Sequence, residues 1–226
     1  MVAIFVLASI LLFVLIDLLV QRAQRRKEAL VPGPIKVAVA DRFLVPRGYF
    51  LSRGHSWIEL LFSGNARIGI DDFVQKLVGK IDGIRVAPIR SEIRKGEPLF
   101  TISREGRLLT IPSPLSGRIV EINSELLREP SAVNSDPYVS GWGVVIGPTA
   151  LASELRLLSI ADGAATWLRG EVTRFRNFIK ESASRMSASP LPAGVTLLDG
   201  GTPVAGVLKM TDDKTWKEFQ QEFLTL

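Results

Sequence analysis

Residues 95–123 read KGEPLFTISREGRLLTIPSPLSGRIVEIN, and this stretch decides the fold. Apolar and β-branched side chains gather in Pro98 to Ser103, Arg107 to Ile111 and Arg118 to Ile122, runs of strand length rather than helix length. Explicit turn sequences separate them: Lys95-Gly96-Glu97-Pro98, Arg104-Glu105-Gly106 and Pro114-Leu115-Ser116-Gly117. Short strands punctuated in this way predict a sandwich or flattened barrel, a mainly β body with flanking helices.

The same texture continues on both sides. Trp57 to Phe62 and Ala66 to Ile70 flank Ser63-Gly64-Asn65 and predict a hairpin. Asp71 or Asp72 then caps a short helix carrying Phe73, Val74 and Leu77 on one face, and Gly79 ends it. Ile81 to Val86 and Gly143 to Ile146 complete the expected strands. From Asp162 to about Met186 a longer helix presents Leu168, Val172, Phe175 and Ile179 at helical spacing, with Arg169, Arg174, Arg176 and Lys180 on a solvated basic face. Ser187 to Ala193 is a Ser/Pro-rich linker. Val195 to Met210, around Asp199-Gly200-Gly201, predicts a further hairpin, and Asp212 or Asp213 opens an amphipathic helix bearing Trp216, Phe219 and Phe223. Docking onto the main body accounts for that last apolar face.

A chain of 226 residues holds one main body with appendages. Its 28 basic and 23 acidic residues give a formal charge of +5, too mild and dispersed for a nucleic-acid footprint, so no nucleic-acid partner is expected. The absence of cysteine excludes disulfides, thiolate nucleophiles and cysteine-held metals, and a single histidine excludes multi-histidine metal sites.

At the start, Val2 to Val20 is apolar except for Ser9 and Asp17, and as a helix would span ~28 Å of a hydrocarbon core ~30 Å thick. Only Met1 precedes it, whereas a cleaved signal peptide wants a basic start and a small-residue cleavage site. The expectation is an uncleaved transmembrane helix over 1–21. Arg22, Arg25, Arg26 and Lys27 follow it and place that flank, and hence the soluble body of a single-pass membrane protein, in the cytoplasm. A basic flank and linker would fill 22–48, broken at Val31-Pro32-Gly33-Pro34. The main domain would run over 49–186, and the linker, hairpin and amphipathic helix over 187–226.

Five segments in order from Tyr49 to Gly147 resemble one family. His55-Ser56-Trp57-Ile58 is similar to its His-Glu-Trp-Val strand, and Gly69-Ile70-Asp71-Asp72-Phe73-Val74-Gln75 to its Gly-Ile-Thr-Asp-Phe-Ala-Gln. Lys95-Gly96-Glu97-Pro98-Leu99 matches the turn before its hairpin, and Ser113 to Asn123 its Ala-Pro-Val-Ser-Gly-x-Val-x-x-x-Asn strand. Asn134-Ser135-Asp136-Pro137-Tyr138, with Gly141-Trp142 behind, resembles its Asn-x-Asp-Pro-Tyr-x-x-Gly-Trp segment. The family is that of the glycine cleavage system H protein. The resemblance implies a lipoyl-domain fold without catalysis of its own, in which a lysine at a hairpin tip bears lipoate and shuttles an aminomethyl group between enzymes.

One departure bears on the mechanism. The family's lysine stands eight residues before the proline of Pro-Val-Ser-Gly, with a glutamate three residues earlier still. Counting back from Pro114 puts Gly106 at the lysine and Ser103 at the glutamate. Amide formation to lipoate needs a primary amine, which neither glycine nor the guanidinium of Arg104 or Arg107 supplies. No lysine occurs between Lys95 and Lys180. Arg104-Glu105-Gly106-Arg107 is otherwise a plain tight turn whose glycine takes positive φ.

Other chemistry is thin. His55, at a strand entrance with no nucleophile signature, reads as structural, and Asp71, Asp72, Asp212 and Asp213 all read as helix caps. The expectation is a non-enzymatic, membrane-anchored protein-binding scaffold with no cofactor and an unidentified protein partner. Its rivals are a lipoate-bearing carrier modified at an unexpected lysine such as Lys95, and a structural subunit of a membrane redox or transport complex.

Overall fold

The computed structural model describes residues 36–39, 43–185 and 205–226. A hairpin of β1 (Lys36–Val39) and β2 (Phe43–Pro46) comes first. A seven-stranded antiparallel sheet has the order β12-β3-β4-β5-β11-β10-β7. Its strands are β3 (Phe50–Leu51), β4 (Ser56–Leu60), β5 (Ala66–Ile70), β7 (Glu92–Ile93), β10 (Gly117–Ile122), β11 (Trp142–Pro148) and β12 (Ser159–Ile160). A second sheet of three strands has the order β6-β8-β9, from β6 (Gly83–Val86), β8 (Pro98–Arg104) and β9 (Arg107–Pro112). The body is thus mainly β, as its turn-punctuated runs require.

The helices flank it. α1 (Asp72–Val78) is capped by Asp71, whose Oδ1 accepts from the Val74 amide at 3.0 Å, and ends at Gly79 with φ 78°. Short α2 (Ser124–Arg128), α3 (Ala132–Ser135) and α4 (Leu151–Leu155) lie in the connections. α5 (Ala161–Arg185) buries Leu168, Val172, Phe175 and Ile179 on the face that the spacing predicts. After it come a 3₁₀ turn (Val207–Met210) and α6 (Asp213–Phe223), capped by Asp212.

The Asn134 to Trp142 segment ties these pieces together. The Asn134 amide donates to the Gly79 carbonyl at 2.8 Å while its Oδ1 accepts from the Ile81 amide at 3.1 Å, so one side chain satisfies the end of α1 and the chain leaving it. The Pro137 carbonyl accepts from Trp57 Nε1 at 2.9 Å. Trp57 in turn requires Gly69 opposite it, where a Cβ would stand 2.5 Å from the indole ring.

Several expectations need correction. The stretch expected as linker up to residue 48 contains β1 and β2, and the compact unit begins at Lys36. Phe43 and Val45 are buried in the core, the Leu44 amide donates to Asp72 Oδ2 at 2.7 Å, and the Leu44 carbonyl accepts from the Tyr138 hydroxyl at 2.6 Å. Asp72 is therefore not a cap but a buried link between α1 and β2, and burial raises its carboxyl pKa despite the ammonium of Lys76 at 2.6 Å. Phe62 is not in a strand: the Gly64 amide closes a turn onto the Leu61 carbonyl at 2.9 Å, leaving Phe62 wholly exposed. Val207 to Met210 is a 3₁₀ turn rather than a strand, Ala205 and Gly206 form a turn before it, and the expected hairpin from Val195 to residue 204 lies outside the described residues. Arg174 is not simply solvated, since its guanidinium lies 4.1 Å from the Phe223 ring centroid. Among the described residues no helix is long and apolar enough to cross a membrane, and the apolar run Val2 to Val20 lies outside them.

Candidate functional site

The tip of the β8–β9 hairpin is where the expected site falls. Arg104 pairs with Arg107, leaving Glu105 and Gly106 as a two-residue turn. Both have positive φ, 48° and 80°, the pattern of a type I′ turn that matches strand twist. Glycine was legible here; the non-glycine Glu105 in the left-handed region was not. It is held there by its amide, which donates to Asp82 Oδ2 at 2.7 Å, and by its carboxylate, 2.9 Å from Lys209 Nζ. The hydrogen bond from Lys209 lowers the Glu105 pKa.

The neighbours are equally engaged. Arg104 donates to the Lys80 carbonyl at 2.6 Å and lies 3.7 Å from Asp82 and 3.4 Å from Glu105. Ser103 Oγ donates to the Gly83 carbonyl at 3.3 Å. Arg107 donates to the carbonyls of Thr211 at 2.9 Å and Lys209 at 3.0 Å, with its guanidinium 4.5 Å from the Trp216 ring centroid. Gly106 alone looks outward: a Cβ there would meet nothing within 4 Å.

A C-terminal strap over 205–226 thus clasps the hairpin. Along the free side of β9, Trp216 Nε1 donates to the Leu108 carbonyl at 2.8 Å. Gln220 both donates to the Thr110 carbonyl at 2.8 Å and accepts from the Thr110 amide at 2.6 Å. Phe219 and Phe223 stack among Phe175 and Phe178 at centroid distances of 5.1 to 6.4 Å. Each such ring contributes roughly 2 kcal/mol by burial, which explains why the strap stays down. At its start the Gly206 amide donates to the Lys76 carbonyl at 2.7 Å, where a Cβ on Gly79 would stand 2.9 Å from the Gly206 Cα. Replacing Gln220 by Leu leaves both Thr110 groups without their partner and is expected to cost about 1–3 kcal/mol, a fall in Tm of roughly 2–12 °C. Scanning calorimetry checks it against Gln221→Leu, an exposed neighbour that should melt as the native chain does.

His55 lies elsewhere in the core and carries an arrangement that its sequence position did not announce. The ring is wholly buried, stacked on Phe73 at 4.5 Å. Nδ1 is 2.7 Å from Asp71 Oδ2, and Nε2 faces Glu171 Oε2 at 3.7 Å, beyond hydrogen-bond reach but close enough to act through charge. Burial alone would lower the imidazole pKa; the flanking carboxylates outweigh it and push it up to about 9. Asp71 and Glu171 thus form with His55 a buried ion cluster that fixes α5 to the start of α1.

The parts of this architecture have known counterparts. The Glycine cleavage H-protein family matches residues 49–169. A probable glycine cleavage system H protein of Pyrococcus abyssi is 32% identical over 127 residues, 56% of this chain and 94% of that protein. The glycine cleavage system H protein of Carboxydothermus hydrogenoformans is 35% identical over 120 residues, 53% of this chain and 91% of that one. A crystal structure of a glycine cleavage system H protein from Mycobacterium marinum aligns with a TM-score of 0.44 and 24% identity over 46% of this chain and 87% of that one. The strap over 205–226 falls outside the matched residues, whereas His55, Trp57, the β8–β9 hairpin and the Asn134 to Trp142 segment fall inside. From Tyr49 into α5, then, the chain belongs to the glycine cleavage H-protein family.

Proposed function

We propose that this chain is an arm-less member of its family, a protein-binding scaffold held at the membrane by Val2 to Val20 with its body in the cytoplasm. The observation that carries the reading is the hairpin tip: no amine stands at Gly106, and every flanking polar side chain is committed to the strap or to the β6 region. A carrier needs an arm that reaches from the tip into its partners' active sites; a tip without one serves instead as a fixed surface. The anchor rests on the apolar run and on the basic cluster Arg22 to Lys27.

The full chain is expected to sediment with membranes and to stay there through high salt and carbonate, while a chain beginning at Lys36 stays in the supernatant. Release of the full chain by salt alone sinks the anchor. Co-purification from detergent-solubilised membranes then reports the partner: substoichiometric capture fits a scaffold, and fixed stoichiometry fits an obligate subunit of a larger complex.

One observation favours a second reading. Lys209, contributed by the strap, brings a half-exposed ammonium to the hairpin tip, 2.9 Å from Glu105. A lysine beside a carboxylate at that place offers an acylation target from another part of the chain. The ion pair with Glu105 fixes that ammonium against the turn rather than at the end of a free arm, which is why the scaffold reading is preferred. Intact mass of the native protein separates the two.

A further inference from the structure

We propose that the cavity between α5, the β12 approach and the 95 turn binds a small amphipathic anion, one phosphate or carboxylate carried on an apolar or aromatic group. The cavity has a volume of about 450 Å³ and is lined by Arg53, Lys95 and Arg156 together with Leu157, Leu158 and Trp167. Arg53, Lys95 and Arg156 line one hollow to which Ser159 and the final residue, Leu226, also belong, and no Asp or Glu is among the lining residues. Among the described residues none of the three forms an ion pair. Glu154, on the adjoining α4, is not among the lining residues and binds Ser116 instead, at 2.8 Å from the amide and 2.6 Å from Oγ.

Like charges gathered without a counterion repel one another, and an anion placed among them removes that cost while gaining charge-assisted hydrogen bonds. The remaining wall is apolar. Trp167 is half-buried and braced from behind by His55 at 5.1 Å, which fixes the indole as a platform, and Leu157 is 64% exposed in the cavity mouth. Inorganic phosphate would use the cations and leave this wall wet; an anion with a hydrophobic body uses both. The chemistry is shared by a soluble organic phosphate and by an anionic lipid headgroup with its first methylenes.

Phenyl phosphate is a suitable probe, titrated calorimetrically into the full chain held in phosphatidylcholine nanodiscs, beside inorganic phosphate and phenol. The expected result is saturable binding of phenyl phosphate at least tenfold tighter than inorganic phosphate, with none of phenol. Arg53→Ala combined with Arg156→Ala should weaken it at least tenfold at unchanged Tm, both positions being exposed, whereas Lys180→Ala on the far stretch of α5 should not. Loss of the phenyl phosphate signal in nanodiscs containing phosphatidic acid assigns the site to a lipid, and its persistence assigns it to a soluble ligand; both uphold the anion site. Equal affinity for phenyl and inorganic phosphate, or undiminished binding by the double variant, overturns it.

Discussion

Native protein purified from its own cells is expected to have the mass of the unmodified chain, and the Gly106→Lys, Ser103→Glu double variant is expected to gain one lipoyl group when incubated with lipoate and a competent ligase. Two separate facts support this. The turn geometry that presents a lysine is intact, with β8 and β9 paired to the last residue before Glu105 and Gly106. A side chain at Gly106 would project into open space, and its φ of 80° costs a lysine there about 1 kcal/mol, which a folded domain survives. Ser103 faces Gly83, where a Cβ would stand 2.7 Å from the Ser103 Oγ, so the absence of a side chain on β6 is what accommodates one at 103. The strap decides how efficiently the ligase approaches, since Lys209 and Thr211 crowd the same turn. Adding Lys209→Ala should therefore raise the modified fraction of the double variant. Gly106→Ala should remain unmodified. A lipoyl group on the native chain, mapped by peptide mass to Lys209, would replace the scaffold reading with the carrier one. A folded double variant that no ligase touches would mean that the hairpin's recognition surface has diverged along with its lysine.

Loss of the buried imidazolium should be the most damaging single change to stability. His55→Leu leaves Asp71 and Glu171 facing each other's field in the core with no cation between them, and is expected to cost about 3–5 kcal/mol. Arg174, 3.0 Å from Glu171 Oε1, keeps the figure toward the lower end. The same group sets a pH dependence. Its pKa rises from 6.5 to about 9 on folding, so below pH 6.5 both states are protonated and the stabilisation is fully present. Between the two values only the folded state holds the proton, and stability falls as pH rises; above about 9 the contribution is lost. The total is about 3 kcal/mol at most. Because the chain has one histidine and no cysteine, no other side chain ordinarily titrates in that window. Denaturant unfolding from pH 6 to 9.5 should show the decline in the native chain and a flat line in His55→Leu. A native chain equally stable across the range would mean that His55 is buried neutral.

The β body was legible because its determinants are local. Glycine and proline turns bracket each run, and Asp71 and Gly79 mark both ends of α1 within the sequence that they cap. Asp72 was misread because its partner, the Leu44 amide, lies in a stretch whose prolines and basic flank suggested linker. Two-residue strands such as β3, β7 and β12 are too short to show any period, and only their pairing defines them. At the tip, sequence counting identified Gly106 and the missing amine. It gave no sign that Arg107 would bind the Lys209 and Thr211 carbonyls or that Lys209 would arrive beside Glu105, since those contacts join distant positions through a docked helix. Likewise the Glu171 partner of His55 belongs to the apolar-faced α5, where periodicity reports a buried stripe and says nothing of an acid within it.

The side-chain bonds from Trp216 and Gln220 to β9 have a consequence for how the molecule behaves in company. β9 is the last strand of its sheet, and an outermost strand with open amides and carbonyls invites another chain to extend the sheet, the route by which β proteins aggregate or swap segments. Here an indole and a carboxamide on a helix stand in for the missing neighbour: they satisfy the backbone groups at Leu108 and Thr110 yet offer no row of their own to continue the ladder. The strap thus closes the β9 edge, so that two copies meeting there find no open ladder to extend.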